Sequence, residues 1–286
     1  YFLKFSFLIF NFFLTRWTIF TSRIMYIYFD KYHGCGNDFI IINNLSNTFP
    51  KTSIDTIKNL CDRNLGIGAD GLILINECKS QPFEMVYYNS DGKISTMCGN
   101  GGRCAMHYSH LNGISAKKSK FLACDGIHDG DVSGNFVRIS LKDVNKYKFI
   151  NDDIYIDTGS PHLVKILEDV SNINILEISR SIQKLEDFKS DGVNVNYVSV
   201  INEDTIQLRT YERGVENETL SCGTGAVAAA LSLSIVSKSN LKKVSVKTLG
   251  GDLFVEFKNH DNNFYDIYLS GKVKKVFSGE INYEEN

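Results

Sequence analysis

Proline is nearly absent, with three in 286 residues, and there is no Ser- or Gly-rich tract. Long disordered linkers are therefore not expected. A charge of one sign is also missing: 31 basic against 33 acidic residues leave a formal charge of −2. That gives no electrostatic footprint for nucleic acid, and no nucleic-acid partner is expected. The seven cysteines are odd in number and form no C-x-x-C pair. This argues against a disulfide framework and fits a reducing cytosol, so a cytoplasmic location is expected. No clean apolar span is present either. Tyr1–Ile24 is rich in Phe, Ile and Leu but is interrupted by Lys4, Asn11 and Arg16. It is too broken for a convincing transmembrane helix, so no stable membrane association is expected. Lys4 followed by Phe5–Phe10 mimics a signal peptide, but no small-x-small cleavage site follows. The preferred expectation is a domain starting at Met25, with residues 1–24 an upstream extension outside the fold, as from a mis-assigned start. A transit or anchor segment is the alternative.

Metal ligands in a usable pattern are lacking too. Cys104, His107 and His110 are spaced by three, which fans them across a helix, and no carboxylate completes the set. No metal site is expected. Cys35, Cys61, Cys78 and Cys124 read as small packing residues.

What is present is a pair of short stretches, Cys98-Gly99-Asn100-Gly101 and Cys222-Gly223-Thr224-Gly225. Each puts a cysteine before a glycine turn that opens into a helix-like run, Gly102–Leu111 and Ala226–Ile235. A thiol at a helix N-terminus lies where N–H groups and the macrodipole favour negative charge, which lowers its pKa. The same free N–H groups can hold a carboxylate. Two such devices suggest two thiols and two anion-binding turns facing one ligand. A single glycine-flanked cysteine is often just a tight turn, and it is the pair that points to function.

The duplication extends beyond the turns. Cys98 and Cys222 are 124 positions apart; Tyr88 and Tyr211, Gly36 and Gly159, and Gly71 and Asn194 are each 123 apart. Similar strand runs follow each helix, Lys120–Cys124 and Val244–Thr248. The chain therefore reads as two homologous halves of roughly 120 residues, each large enough for its own core. Strands are expected at Met25–Phe29, Ile40–Asn43, Leu72–Ile75, Phe83–Asn89, Phe136–Leu141, Ile154–Thr158, Val193–Val200 and Thr205–Tyr211. Helices are expected over Ile54–Asn64 and around Ile173–Ser181. The small residues of Ala226–Ala230 point to a helix buried at a close contact. Asp70 reads as a turn former, and Ile154–Thr158 leads into Gly159-Ser160-Pro161-His162.

His33–Phe39, Gly66–Gly71, Asn89–Cys104, Gly159–His162 and Glu212–Gly225 together resemble the diaminopimelate epimerase family. The resemblance runs from about Met25 to the C-terminus. It implies an α/β (α+β) fold of two pseudo-symmetric halves, each a mixed or antiparallel sheet rolled around a central helix, with the active site in the cleft. The halves would be 25–148 and 149–271, with a C-terminal strand in 272–286 returning to the first. It implies a cofactor-independent isomerase that interconverts LL- and meso-diaminopimelate in lysine and peptidoglycan precursor synthesis, working as a homodimer.

Position by position, the resemblance implies that Cys98 and Cys222 are the catalytic thiols. Gly99, Asn100, Gly223 and Thr224 would bind the α-carboxylate. Asn37, Asn89, Ser160, Asn194, Glu212 and Arg213 would bind substrate, with Arg213 the partner of the distal carboxylate. His162 and Glu212 would assist near the reacting centre. Ser160 stands where many members have Asn, so its contact would shorten or pass through water. Cys35 stands where Leu is usual and would add a third thiol near the site. A proline or hydroxyproline racemase, a redox protein switching through Cys98 and Cys222, and a non-catalytic amino-acid-binding paralogue are the alternatives.

Overall fold

The structure is a computed structural model, and it describes residues 24–49, 54–237, 241–261 and 263–284. The expected extension 1–24 lies outside the described residues except for Ile24. Contacts divide the chain into Phe29–Gly279, which holds everything discussed below, and a small unit whose described parts, 24–28 and 280–284, are extended strand. Among the described residues no helix is long and apolar enough to cross a membrane.

The elements come in two matching series. The first is β1 (Ile24–Gly34), β2 (Asn37–Asn44), α1 (Ile54–Cys61), β3 (Gly71–Asn76), β4 (Glu84–Asn89), α2 (Gly99–Leu111), β5 (Lys118–Ala123), β6 (Gly126–Ser133) and β7 (Phe136–Ser140). After β8 (Tyr147–Ile150) the second runs β9 (Asp153–Asp157), β10 (Pro161–Leu167), α3 (Ile175–Ile182), β11 (Asn194–Asn202), β12 (Thr205–Glu212), β13 (Asn217–Thr219), α4 (Gly223–Ser237), β14 (Lys243–Thr248), β15 (Gly251–His260) and β16 (Asn263–Glu284).

Strand pairing repeats in step. β1–β2 is antiparallel, β2–β3 parallel, β3–β4 antiparallel, β4–β5 parallel, and β5–β6–β7 antiparallel. β9–β10, β10–β11, β11–β12, β12–β14 and β14–β15–β16 follow the same sequence of directions. A parallel step needs a crossover. Each of the four parallel steps carries one helix, which accounts for the four helices among the described residues. The series join where β7 pairs antiparallel with β16, Ser140 opposite Tyr268 and Phe136 opposite Lys272.

In each series one helix is central. α2 packs against β2, β3, β4, β6 and β7, and α4 against β9, β10, β11, β12, β14 and β15. This is the expected pseudo-symmetric α/β arrangement. α4 is apolar on every side, and Gly223–Ser234 are all buried; a helix apolar all round belongs inside a core. Its alanines and serines let six strands approach. Some strands escaped the sequence reading. β8 and β13 are short, and β10 is masked by a turn signal. Pro161 is the first residue of β10, where a missing N–H is tolerated, and His162 follows it on the strand.

The two cysteine turns meet tip to tip. A Cβ on Gly223 would lie 3.1 Å from the Asn100 nitrogen and 3.2 Å from Gly99 Cα. One on Gly99 would meet Leu269 Cδ2 at 2.7 Å. At Gly223 the facing backbone leaves little room for a side chain, and at Gly99 the obstacle is the end of the Leu269 side chain. Asn37 is held near this contact by a charged cluster. Lys31 Nζ lies 2.8 Å from Asp38, and Arg63 bridges Asp38 at 2.8 Å and Asp70 at 2.7 Å. Despite its burial, Asp38 is pulled down to about 2 by hydrogen bonds from Arg63 and Lys31 and by the Lys31 charge.

Two outcomes follow from these contacts. Gly223→Ala should cost about 1–3 kcal/mol of stability by overpacking, read as a lower urea midpoint with unchanged m. The depressed Asp38 carboxyl stabilises the fold above its ordinary pKa of about 4, and that contribution is lost as pH falls toward 2. Asp38→Asn should therefore reduce stability at pH 7 and flatten its dependence between about pH 4 and 2; an unchanged acid limb would contradict this.

Candidate active site

Cys98 is the N-cap of α2, in extended conformation, and its Sγ accepts from the Gly101 N–H at 3.4 Å. Its thiol points to Asn37 Oδ1 at 3.6 Å. Asn37 Nδ2 in turn donates to Asp70 Oδ2 at 2.8 Å, so the charged cluster fixes the amide that meets the thiol. Asn100 braces the two turns: its Nδ2 donates to Ser221 O at 3.0 Å and to Asn37 Oδ1 at 3.3 Å.

Cys222 repeats the device. Ala226 N–H bonds to Cys222 O at 2.9 Å, as Gly102 N–H bonds to Cys98 O at 2.8 Å. Its surroundings differ from those of Cys98. Thr224 Oγ1 lies 3.5 Å from Cys222 Sγ and 3.0 Å from His162 Nε2. His162 Nδ1 faces Asn196 Nδ2 at 2.9 Å, and Asn196 Oδ1 accepts from Thr210 Oγ1 at 3.1 Å. The amide therefore donates to Nδ1, the ring proton sits on Nε2 and goes to Thr224, and the threonine hydroxyl is left to donate to sulfur. Burial, and then the Arg213 charge, push His162 down to about 3, which keeps it neutral. Glu212 also acts on Cys222; burial raises its carboxyl, against a bond from Thr219 Oγ1 at 2.5 Å.

These groups face a cavity of about 690 Å³. Of the residues expected to form the site, Asn37, Asn89, Cys98, Gly99, Ser160, Asn194, Glu212, Arg213, Cys222, Gly223 and Thr224 line it. Asn100 and His162 do not. Both are fully buried behind the lining, where they hold it. Asn194 is spent on the protein: it accepts from Arg213 N–H at 3.0 Å and donates to Ser160 Oγ at 2.9 Å. Ser160 is thus tied to Asn194. The Arg213 guanidinium rests on Asp191 O at 2.7 Å, at the cavity wall.

Two expectations are corrected. Cys35 does not line the cavity; it is buried, with Sγ 3.8 Å from Asp252 O, so it adds no third thiol there. The thiols are not acidified overall. Burial pushes Cys98 up to about 11, against backbone N–H groups that pull it down, and burial with the Glu212 charge pushes Cys222 well up. In the ligand-free site, loss of water outweighs the helix N-termini.

Other residues were not singled out as site groups. Asp70 does cap the Asp38 N–H as a turn former would, at 3.2 Å, but it also lines the cavity and orients Asn37. Tyr87 lines the cavity beside it, and Asn196 sets the His162 tautomer. The alternation of Asn194 and Asn196 on β11 was the available signal: two amides two residues apart share one face of a strand.

Comparison with known proteins agrees with this geometry. The profile of the family described as diaminopimelate epimerase matches residues 29–129 and 154–276. A diaminopimelate epimerase of Flavobacterium psychrophilum is 41% identical over 252 residues, covering 88% of this chain and 98% of its own. One of Aquifex aeolicus is 37% identical over 276 residues, covering 90% and 98%. Among solved structures, a phenazine biosynthesis protein of the PhzF family from Bacillus anthracis superposes with TM-score 0.66 at 13% identity, covering 90% of this chain and 99% of its own. A hydroxyproline epimerase from Agrobacterium vitis, with bound trans-4-hydroxy-L-proline, gives 0.65 at 11%, covering 91% and 93%. The structural likenesses speak to the fold alone. The sequence matches carry the assignment: this chain belongs to the diaminopimelate epimerase family and is an isomerase of the amino-acid racemase and epimerase type.

Proposed function

We propose that the protein interconverts LL- and meso-diaminopimelate without pyridoxal phosphate or another cofactor, using Cys98 and Cys222 as a thiolate–thiol pair. The observation that carries this is the meeting of two cysteine-bearing helix N-termini, tip to tip, on a cavity that also holds Arg213. One sulfur takes the α-proton as thiolate. The electron pair left on the α-carbon is delocalised into the α-carboxylate. The other sulfur, as thiol, gives its proton to the opposite face, and the two have exchanged roles.

The α-proton is very weakly acidic, so the site must stabilise the charge that develops. N–H groups of Gly99, Asn100, Gly223 and Thr224 supply preorganised donors to the α-carboxylate. Arg213 with Asn89 would hold the distal carboxylate, a contact for which the smaller proline has no group; Asn194 holds the Arg213 backbone and Ser160 in place beside them. Glu212 and the hydrogen-bonded series Asn196–His162–Thr224 would tune the Cys222 proton. Seven free cysteines suit a reducing cytoplasm, where this step would serve lysine and peptidoglycan precursor synthesis. The halves 25–148 and 149–271, the return of 272–286 to the first, and the homodimer belong to the same proposal.

The test is α-proton exchange in D₂O with LL-diaminopimelate, under reducing conditions, read by NMR. Deuterium should enter together with meso product, and Cys98→Ala or Cys222→Ala should each slow this by about 10³-fold or more. Exchange with L-proline and not with diaminopimelate would move the activity to the racemase alternative. No exchange with either, in folded protein, would sink the enzyme assignment. Arg213→Lys should raise KM by about tenfold with a smaller change in kcat, since a point charge replaces a bidentate fork. A pure kcat loss would remove Arg213 from substrate binding.

A further inference from the structure

The largest fully buried side chain is a charged one. Arg103, on α2, is 0% exposed and has no carboxylate partner among the described residues. Its Nη2 donates to Asn100 Oδ1, its Nη1 to Lys272 O at 3.3 Å, and its Nε has no partner. Two glycines shape its slot. A Cβ on Gly271 would come within 2.7 Å of Nη1, and one on Gly34 within 3.3 Å of Nη2. A buried guanidinium without an anion is costly, and proteins rarely keep one without use.

Its position is where the duplication fails. Arg103 stands five residues after Cys98; five residues after Cys222, on α4, stands Val227, also buried. The asymmetry is reinforced from the other side. Glu212 stands ten residues before Cys222, and the residue 123 positions earlier, in the first half, is the neutral Asn89. One cysteine turn thus has a positive charge built behind it, while the Glu212 carboxyl raises both sulfurs and is second only to burial at Cys222.

We propose that Arg103 breaks the equivalence of the two thiols: its unneutralised charge, on the Cys98 helix alone, makes Cys98 the more readily ionised sulfur of the ligand-free protein and leaves Cys222 the one that keeps its proton to higher pH. Arg103 is a positioning residue. It touches neither the cavity nor sulfur, and it acts through its field and through Asn100, which braces both turns. The groups acting on Cys98 are Glu212 from β12, Tyr87 from β4, Cys104 and Arg103 from α2, and Cys222 from the facing turn. Those acting on Cys222 are Glu212, Thr224 and Cys98, with neutral His162 behind Thr224. Arg103 is the cation that favours ionisation of Cys98, and Cys222 has no counterpart among these groups. This inference rests on the two-thiol site, though not on turnover.

The experiment is alkylation of the reduced, ligand-free full-length protein with iodoacetamide. Each cysteine peptide would be quantified by mass spectrometry across pH. The rate–pH midpoint is compared for the two sulfurs, because differences in access change the rate and leave the midpoint in place. Cys98 should show the lower midpoint. Arg103→Met should raise the Cys98 midpoint by about one unit or more and move that of Cys222 by less, with Arg103→Lys restoring part of the shift. A lower midpoint at Cys222 in the unmodified protein would overturn the proposal, even if Arg103→Met failed to fold. So would equal shifts of both midpoints in a folded Arg103→Met protein. The same labelling in a protein inactive on diaminopimelate would leave this inference standing and remove the proposed substrate.

Discussion

Everything about the site depends on two turns of backbone being in contact. Gly99 and Gly223 meet with no side chain between them, and this is what lets two helix N-termini converge on one small volume. A methyl group on Gly223 would press on the backbone of the facing turn, and one on Gly99 would displace the Leu269 side chain. The rest of the fold serves that contact. Six strands close on α4 because its surface is made of small residues, and Asn100 ties one turn to the carbonyl just before the other cysteine. The site is assembled from the ends of buried helices, whose positions are over-determined by packing, rather than from loops alone.

The electrostatics follow from the dryness of that volume. Removing water raises both thiols and Glu212 and lowers His162, so the ligand-free site holds its ionisable groups close to neutral. Helix N-termini still supply partial positive charge, but desolvation exceeds their effect until an anion arrives to use it. A bound α-carboxylate would complete the two turns and would also change the field each sulfur feels. In such a site the protonation state belongs to the protein and ligand together.

Much of this was legible in the sequence, for identifiable reasons. The cysteine turns were visible because a thiol before glycines at a helix start has few other uses, and the 123-residue offset made the duplication visible without a structure. Ala226–Ala230 announced its burial through its lack of charge. What escaped was what lies behind the lining. Asn100 was expected at the α-carboxylate and His162 near the reacting centre, and the side chains of both stand one layer behind the lining, a depth that a residue's place in a motif does not show. Arg103 lay inside a recognised motif without drawing attention, since an arginine on a helix is ordinarily solvated. The direction of the thiol shifts was misjudged because a local motif shows its donors and not the water it excludes.

The pairing of β7 with β16 has a consequence for synthesis. When the first half leaves the ribosome, β7 is hydrogen-bonded on one side only, to β6. Its partner on the other side begins at Tyr268, more than a hundred residues later in the chain. Until then the nascent protein carries an open strand edge, a template for pairing with other chains. The strand that removes the hazard is therefore translated only after the second half's other strands, and a ribosome stalled before it would release a first half whose sheet is still open.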